Sequence, residues 1–223
     1  MTKKQIFYTF VIPGLFIQFI GASFYFVLFS GTGISNIIYT LTKILIILWP
    51  LYWVFRRDKI KQITNRKQSI IYGLIFGLAV SALIFIIFNI FFEYFLQSSA
   101  DITKKARDLD ILNHYILFSL FLSITHSALE EYYWRWFIFK GLQTKLQPLL
   151  AAIISSLAFS LHHFIVLSQF FNIWITILFG IVVGVGGLFW CLIYHKTKSI
   201  IGSWIAHILV DLAVMTVGYI LIF

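Results

Sequence analysis

The sequence predicts an all-α, polytopic transmembrane bundle of about seven helices, or eight if one connection re-enters the membrane. Mean hydropathy is +0.94. Charged residues make up 11% of the chain, where a soluble domain carries roughly 25%. Apolar runs long enough to span recur from one end to the other. A membrane helix needs about 17–25 residues. Runs of that kind fall at 5–30, 34–55, 69–97, 112–139, 148–168, 170–194 and 200–222. No gap between them is long enough for a separate soluble domain, so residues 1–223 read as a single membrane domain.

The first run follows Met1-Thr2-Lys3-Lys4 and exceeds the apolar core of a signal peptide, so it reads as a membrane helix. The second begins after Gly31-Thr32-Gly33 and ends at the basic loop 56–68. Pro13 and Pro50 are candidate kinks. The third and fourth runs are over-long and bracket a polar loop, 98–111. The fourth ends between Gly141 and Pro148. The fifth and sixth are divided by the region Ser168–Asn172, the sixth and seventh by His195–Ser199. Cys191 lies alone in an apolar run, which leaves it a packing role. Gly180, Gly184, Gly186 and Gly187 read as close-packing positions between helices.

The formal net charge of +9 would suggest nucleic acid in a soluble protein. Here it is an orientation signal, and the partners implied are membrane lipids and a protein or peptide, not nucleic acid. With the N-terminus in the cytoplasm, the inner segments hold Lys3, Lys4, Arg56, Arg57, Lys59, Lys61, Arg66, Lys67, Lys140, Lys145, Lys196 and Lys198. The outer segments hold only Lys104, Lys105 and Arg107. That asymmetry is the positive-inside pattern. The bias toward Ile, Phe and Lys fits a low-GC bacterium, hence a plasma membrane.

Only 8 residues are acidic, and two stand side by side in the fourth run, in Glu130-Glu131-Tyr132-Tyr133-Trp134-Arg135. A charged group at the bilayer centre costs about 2.5–3.5 kcal/mol on insertion scales, so such a cluster marks a site. The other ionisable groups within the spans are His126, His162, His163, His207 and Asp211, with Lys43 and Glu93 as further candidates nearer an interface. Helical spacing sorts them. Glu131 and Arg135 are four apart and pair. Glu130, about 100° round the helix, is left to face elsewhere, with His126 one turn before it. Phe159 and His163 are four apart, as are His207 and Asp211. At 1.5 Å per residue, Glu130 lies roughly 15 Å in from Lys140, His163 roughly 22 Å from Pro148, and His207 and Asp211 roughly 12 and 18 Å from Ser199. Three helices are thus expected to converge at one depth. The pocket suits hydrolysis. Either a carboxylate activates water with histidine help, or two histidines and a carboxylate hold a divalent metal that does so.

These residues resemble the CAAX-protease and bacteriocin-processing (CPBP, or Abi) family of intramembrane proteases. Its three signatures read here as Glu130-Glu131-x-x-x-Arg135, Phe159-x-x-x-His163 and His207-x-x-x-Asp211, in family order and spacing. The likeness covers about 110–215, the expected catalytic core. It implies an intramembrane endopeptidase that cleaves a membrane-associated or prenylated protein or peptide. Glu130 and His163 would activate water, and His207 and Asp211 would assist. Glu131, Arg135 and Phe159 would support them, with His126 and His162 behind. Asp211 stands where the family has Asn, and an ionised Asp cannot donate to an oxyanion. No organic cofactor is implied. If a metal such as zinc is present, its ligands would be Glu130, His163 and His207. The alternatives are a non-proteolytic immunity or scaffold protein of the same fold, and a proton-coupled transporter. No His-Glu-x-x-His marks a membrane zincin.

The orientation has a direct test. Reporter fusions to the intact gene should give a cytoplasm-type signal after Thr144 and an exterior-type signal after Asp108. The reverse pattern overturns the N-in assignment.

Overall fold

The computed structural model describes residues 5, 7–55 and 64–223. Lys3, Lys4, Arg56, Arg57, Lys59 and Lys61, counted above for orientation, lie outside the described residues. Among the described residues the chain is helical, without a strand: α1 (Phe7–Leu28), α2 (Gly33–Phe55), α3 (Arg66–Ile90), α4 (Phe92–Gln97), α5 (Ser99–Asp108), α6 (Leu112–Leu142), α7 (Pro148–Leu167), α8 (Ile173–Thr197) and α9 (Ile201–Ile222). Six of these, α1, α2, α3, α7, α8 and α9, are long and apolar enough to cross a membrane. Joining α5 to α6 across a 90° bend makes up to seven. The protein is a multi-pass integral membrane protein.

Three expectations change. The run 69–97 is not one helix: α3 stops at Ile90, where Phe91 leaves helical geometry at φ −107° and ψ 25°. The polar segment 98–111 is not a loop throughout. Asp101 in the first turn of α5 and Lys105 and Arg107 in the last complement the helix dipole, and Ala106 is buried. The segment ends at Asp110, which is left-handed at φ 55°. The sixth span begins at Ile173 rather than 170, because Asn172 caps it by accepting from Trp174 N and Ile175 N at 3.1 and 3.2 Å.

The chain forms two compact units. The first is Met1–Thr64 with Leu129–Lys198 and the second is Asn65–Ala128 with Ser199–Phe223. In the first unit, α7 packs on α8 and on α1. Pro13 follows a wide π turn over Phe7–Val11, and neighbouring carbonyls are answered from other helices. Trp49 Nε1 donates to Phe10 O at 3.0 Å, and Tyr133 Oη to Gly14 O at 2.6 Å. At the far end, His195 Nδ1 accepts from Gln143 Nε2 at 2.7 Å and meets Lys198 Nζ at 3.3 Å. Lys198 is left-handed at φ 55°. Partial burial pulls its ammonium below the usual lysine range.

In the second unit, α3 packs along α9. A Cβ on Gly202 would stand 2.1 Å from Ser69 O, and one on Gly73 would stand 2.2 Å from Gly202 O. This contact needs both glycines. It is locked by Ser69 Oγ, which accepts from Gly202 N at 2.9 Å and donates to Ser199 O at 3.2 Å. Higher up, Ser81 Oγ donates to Leu209 O at 2.9 Å. The helix that carries His207 and Asp211 is thus gripped on both sides of His207.

Gly202→Ala should destabilise the protein by about 1–3 kcal/mol through overpacking, read as a lowered unfolding midpoint in detergent. Gly186→Ala is the matched control. Its added Cβ would meet only Trp190, at 4.0 Å, so the midpoint should hold or rise.

Candidate active site

The site grows from α6, whose C-terminal half belongs to the first unit. Its hydrogen bonding widens to a π turn over Tyr132–Phe139, with Lys140 N donating back to Arg135 O. Wide turns of this kind recur at functional sites. Tyr133, Trp134, Phe137, Ile138 and Phe139 are all buried here. Three hydrogen bonds anchor the segment: Tyr133 to Gly14 O, Tyr132 Oη to Ile47 O at 3.1 Å, and Ser155 Oγ to Trp134 O at 3.3 Å.

Glu131 and Arg135 are 0% and 1% exposed and lie 3.3 Å apart, Oε2 to Nε. The contact is an ion pair off the hydrogen-bonding line. The guanidinium also sits between two ring faces, 4.7 Å from the centre of Phe159 and 5.0 Å from that of Trp190. Both contacts are cation–π in kind. Gly187 makes room beside it, since a Cβ there would stand 3.5 Å from Nη2. Charge and flat apolar surface hold Arg135, and Phe159 becomes the hinge between this pair and the histidines of α7.

Glu130, 3% exposed, faces those histidines. Its Oε1 lies 3.2 Å from His162 Nε2. His162 is 7% exposed. Its ring lies parallel to Trp134 at 6.2 Å and edge-on to Phe159 at 5.5 Å. His163 is half-buried; its ring is 4.5 Å from Phe159 and its Nδ1 is 3.1 Å from Phe159 O. A carbonyl only accepts, so Nδ1 carries the proton there. One donor atom from each of Glu130, His162 and His163 lies within 4.8 Å of the others. The sequence reading gives Glu130's partnership to His163 and sets His162 behind it. The structure puts His162 in direct contact and brings both rings to the carboxylate.

Lys43 of α2 is also in this unit, and its ammonium interacts electrostatically with Glu130. The signal was a lone cation inside an apolar span, but its partner depends on how α2 packs. Glu93 is exposed in the short helix α4. His207, Asp211 and His126 belong to the second unit. There His207, 4% exposed, places Nε2 3.6 Å from Asp211 Oδ1, the pairing that the spacing predicts.

Residues 112–213 match the family model described as type II CAAX prenyl endopeptidase Rce1-like. The match covers all three motifs. No curated protein and no solved structure matches the chain.

Breaking the buried pair strands a charge. Arg135→Met alone should cost about 3–5 kcal/mol, while Glu131→Leu combined with Arg135→Met should recover most of that loss. Unfolding midpoints of the purified variants check this. A double variant no better than the worse single one would show that the pair is not a self-contained ion pair.

Proposed function

We propose that this multi-pass membrane protein, whose residues 112–213 match the type II CAAX prenyl endopeptidase Rce1-like family, is an intramembrane endopeptidase. The observation that carries the reading is Glu130: a carboxylate buried in a membrane helix, with one imidazole 3.2 Å away and a second in the same cluster. Glu131 is answered by Arg135, which leaves Glu130 for chemistry.

In the proposed reaction Glu130 accepts a proton from water as the water oxygen bonds to the scissile carbonyl carbon. The carbonyl electrons move to oxygen. When the C–N bond breaks, the departing nitrogen takes a proton from the Glu130–histidine cluster, and a carboxylic acid and an amine are released. His162 and His163 keep the proton close between the two steps. The assisting role given to His207 and Asp211 rests on the motif they complete and on their mutual pairing. A neutral His207 can donate to a developing oxyanion, and Asp211 then holds its ring. The family's description reads CAAX prenyl endopeptidase, and we extend that wording to a substrate class for this chain: a lipid-anchored C-terminal peptide presented at the membrane.

Glu130→Gln keeps the shape and removes the base. In reconstituted vesicles with a farnesylated CAAX peptide, it should lower turnover by about 10²–10⁴-fold while the variant still folds and inserts. Glu93→Gln, at an exposed carboxylate, should cleave like the parent. Undiminished cleavage by Glu130→Gln would sink the mechanism, and cleavage independent of the lipid would move the substrate class to unmodified membrane peptides.

A further inference from the structure

We infer that Glu130, His162 and His163 together bind one divalent transition-metal ion of the zinc type, with His162, a residue outside the three motifs, as a full ligand. The inference rests on the hydrolase reading only for what the metal would do, not for whether it binds.

The donor chemistry comes first. One carboxylate oxygen and two imidazole nitrogens, with a fourth position left for water, is the ligand pattern of catalytic zinc. All three donors belong to one compact unit and to two helices, α6 and α7.

The distances come next. The Glu130–His162 contact is 3.2 Å, longer than the ~2.7–2.9 Å of a charge-assisted hydrogen bond. It is close to the ~3.4 Å between two ligands of a tetrahedral site with bonds of about 2.1 Å. The donor atoms of the trio all lie within 4.8 Å of one another. The rings of His162 and His163 already lie 4.0 Å apart, centre to centre.

The third observation is independent of both. A ligating histidine almost always donates its other ring N–H to a carbonyl or carboxylate, which fixes the tautomer that offers a lone pair. His163 does this: Nδ1–H donates to Phe159 O at 3.1 Å, so Nε2 bears the lone pair. Trp134 and Phe159 confine the His162 ring from two sides. Such preset orientation is what a ligand needs and a solvated histidine lacks.

The proposed set replaces His207 of the motif-based set by His162, and that difference is the test. The full-length protein in detergent, stripped of metal and titrated with Co²⁺, should show visible ligand-field absorption saturating at one equivalent. Zn²⁺ should displace it. His162→Ala and Glu130→Gln should each weaken Co²⁺ binding by roughly 100-fold or more, and His207→Ala should bind like the parent. His162→Gln, closer in size, guards against misfolding and should also lose the metal while keeping the unfolding midpoint. No Co²⁺ absorption in the parent overturns the inference, as does unchanged binding by both His162 variants or loss of binding by His207→Ala. Protein that cleaves peptide but shows no Co²⁺ absorption would overturn the metal site and keep the peptidase. Protein that binds Co²⁺ yet cleaves nothing, even when loaded, would do the opposite.

Discussion

Ionised groups in hydrocarbon must be neutralised by one another, and the first unit is arranged around that requirement. Glu131 and Arg135 neutralise each other at full burial, and Lys43 acts on Glu130 from a second helix. The guanidinium then needs surfaces that tolerate it. Phe159 and Trp190 provide two faces, which fixes where α7 and α8 lie against α6. Gly187 follows from the same demand, because a larger residue would crowd Arg135 and Phe159 together. With Phe159 fixed, both imidazoles of α7 are fixed, since each packs on that ring. One ion pair thus sets the position of the residues proposed for chemistry without taking part in it.

Rigidity around Glu130 comes from hydrogen bonds that cross between helices. The wide turn over Tyr132–Phe139 is bonded to α1 through Tyr133, to α2 through Tyr132 and to α7 through Ser155. Polar side chains in a membrane interior have few alternatives to such partners. A site whose supporting residues are locked by packing and by hydrogen bonds holds its geometry.

The spans and the two four-residue pairings were legible in the sequence because both depend on short-range helix geometry. Glu131–Arg135 and His207–Asp211 need only a four-residue step, and the structure forms both pairs. The choice between His162 and His163 needs more. Adjacent residues point about 100° apart, and which one meets Glu130 depends on how α7 crosses α6, with a wide turn altering the phase of α6. Lys43 stood out as a cation in an apolar run, but its partner was not legible for a similar reason: it is decided by packing between chain segments far apart in sequence. Helix α5 was hidden by its polarity. Its charges suit a helix as well as they suit a loop, and the helix shows only in the structure, in its backbone hydrogen bonds and its packing on α9.

The segment that carries the family likeness, 112–213, does not coincide with either compact unit. It draws Leu129–Lys198 from the first and its two ends from the second, while α1 and α2 complete the first unit. Tyr133 and Tyr132 spend their hydroxyls on carbonyls of those early helices. What a family model recognises is therefore a stretch of shared chemistry and not an autonomous folding module. Within the chain α1 and α2 precede α6, α7 and α8, so their unit is completed only once those later helices are in place. A gene rearrangement that kept every motif but lost those two helices would preserve the vocabulary of the site and discard the walls that hold it.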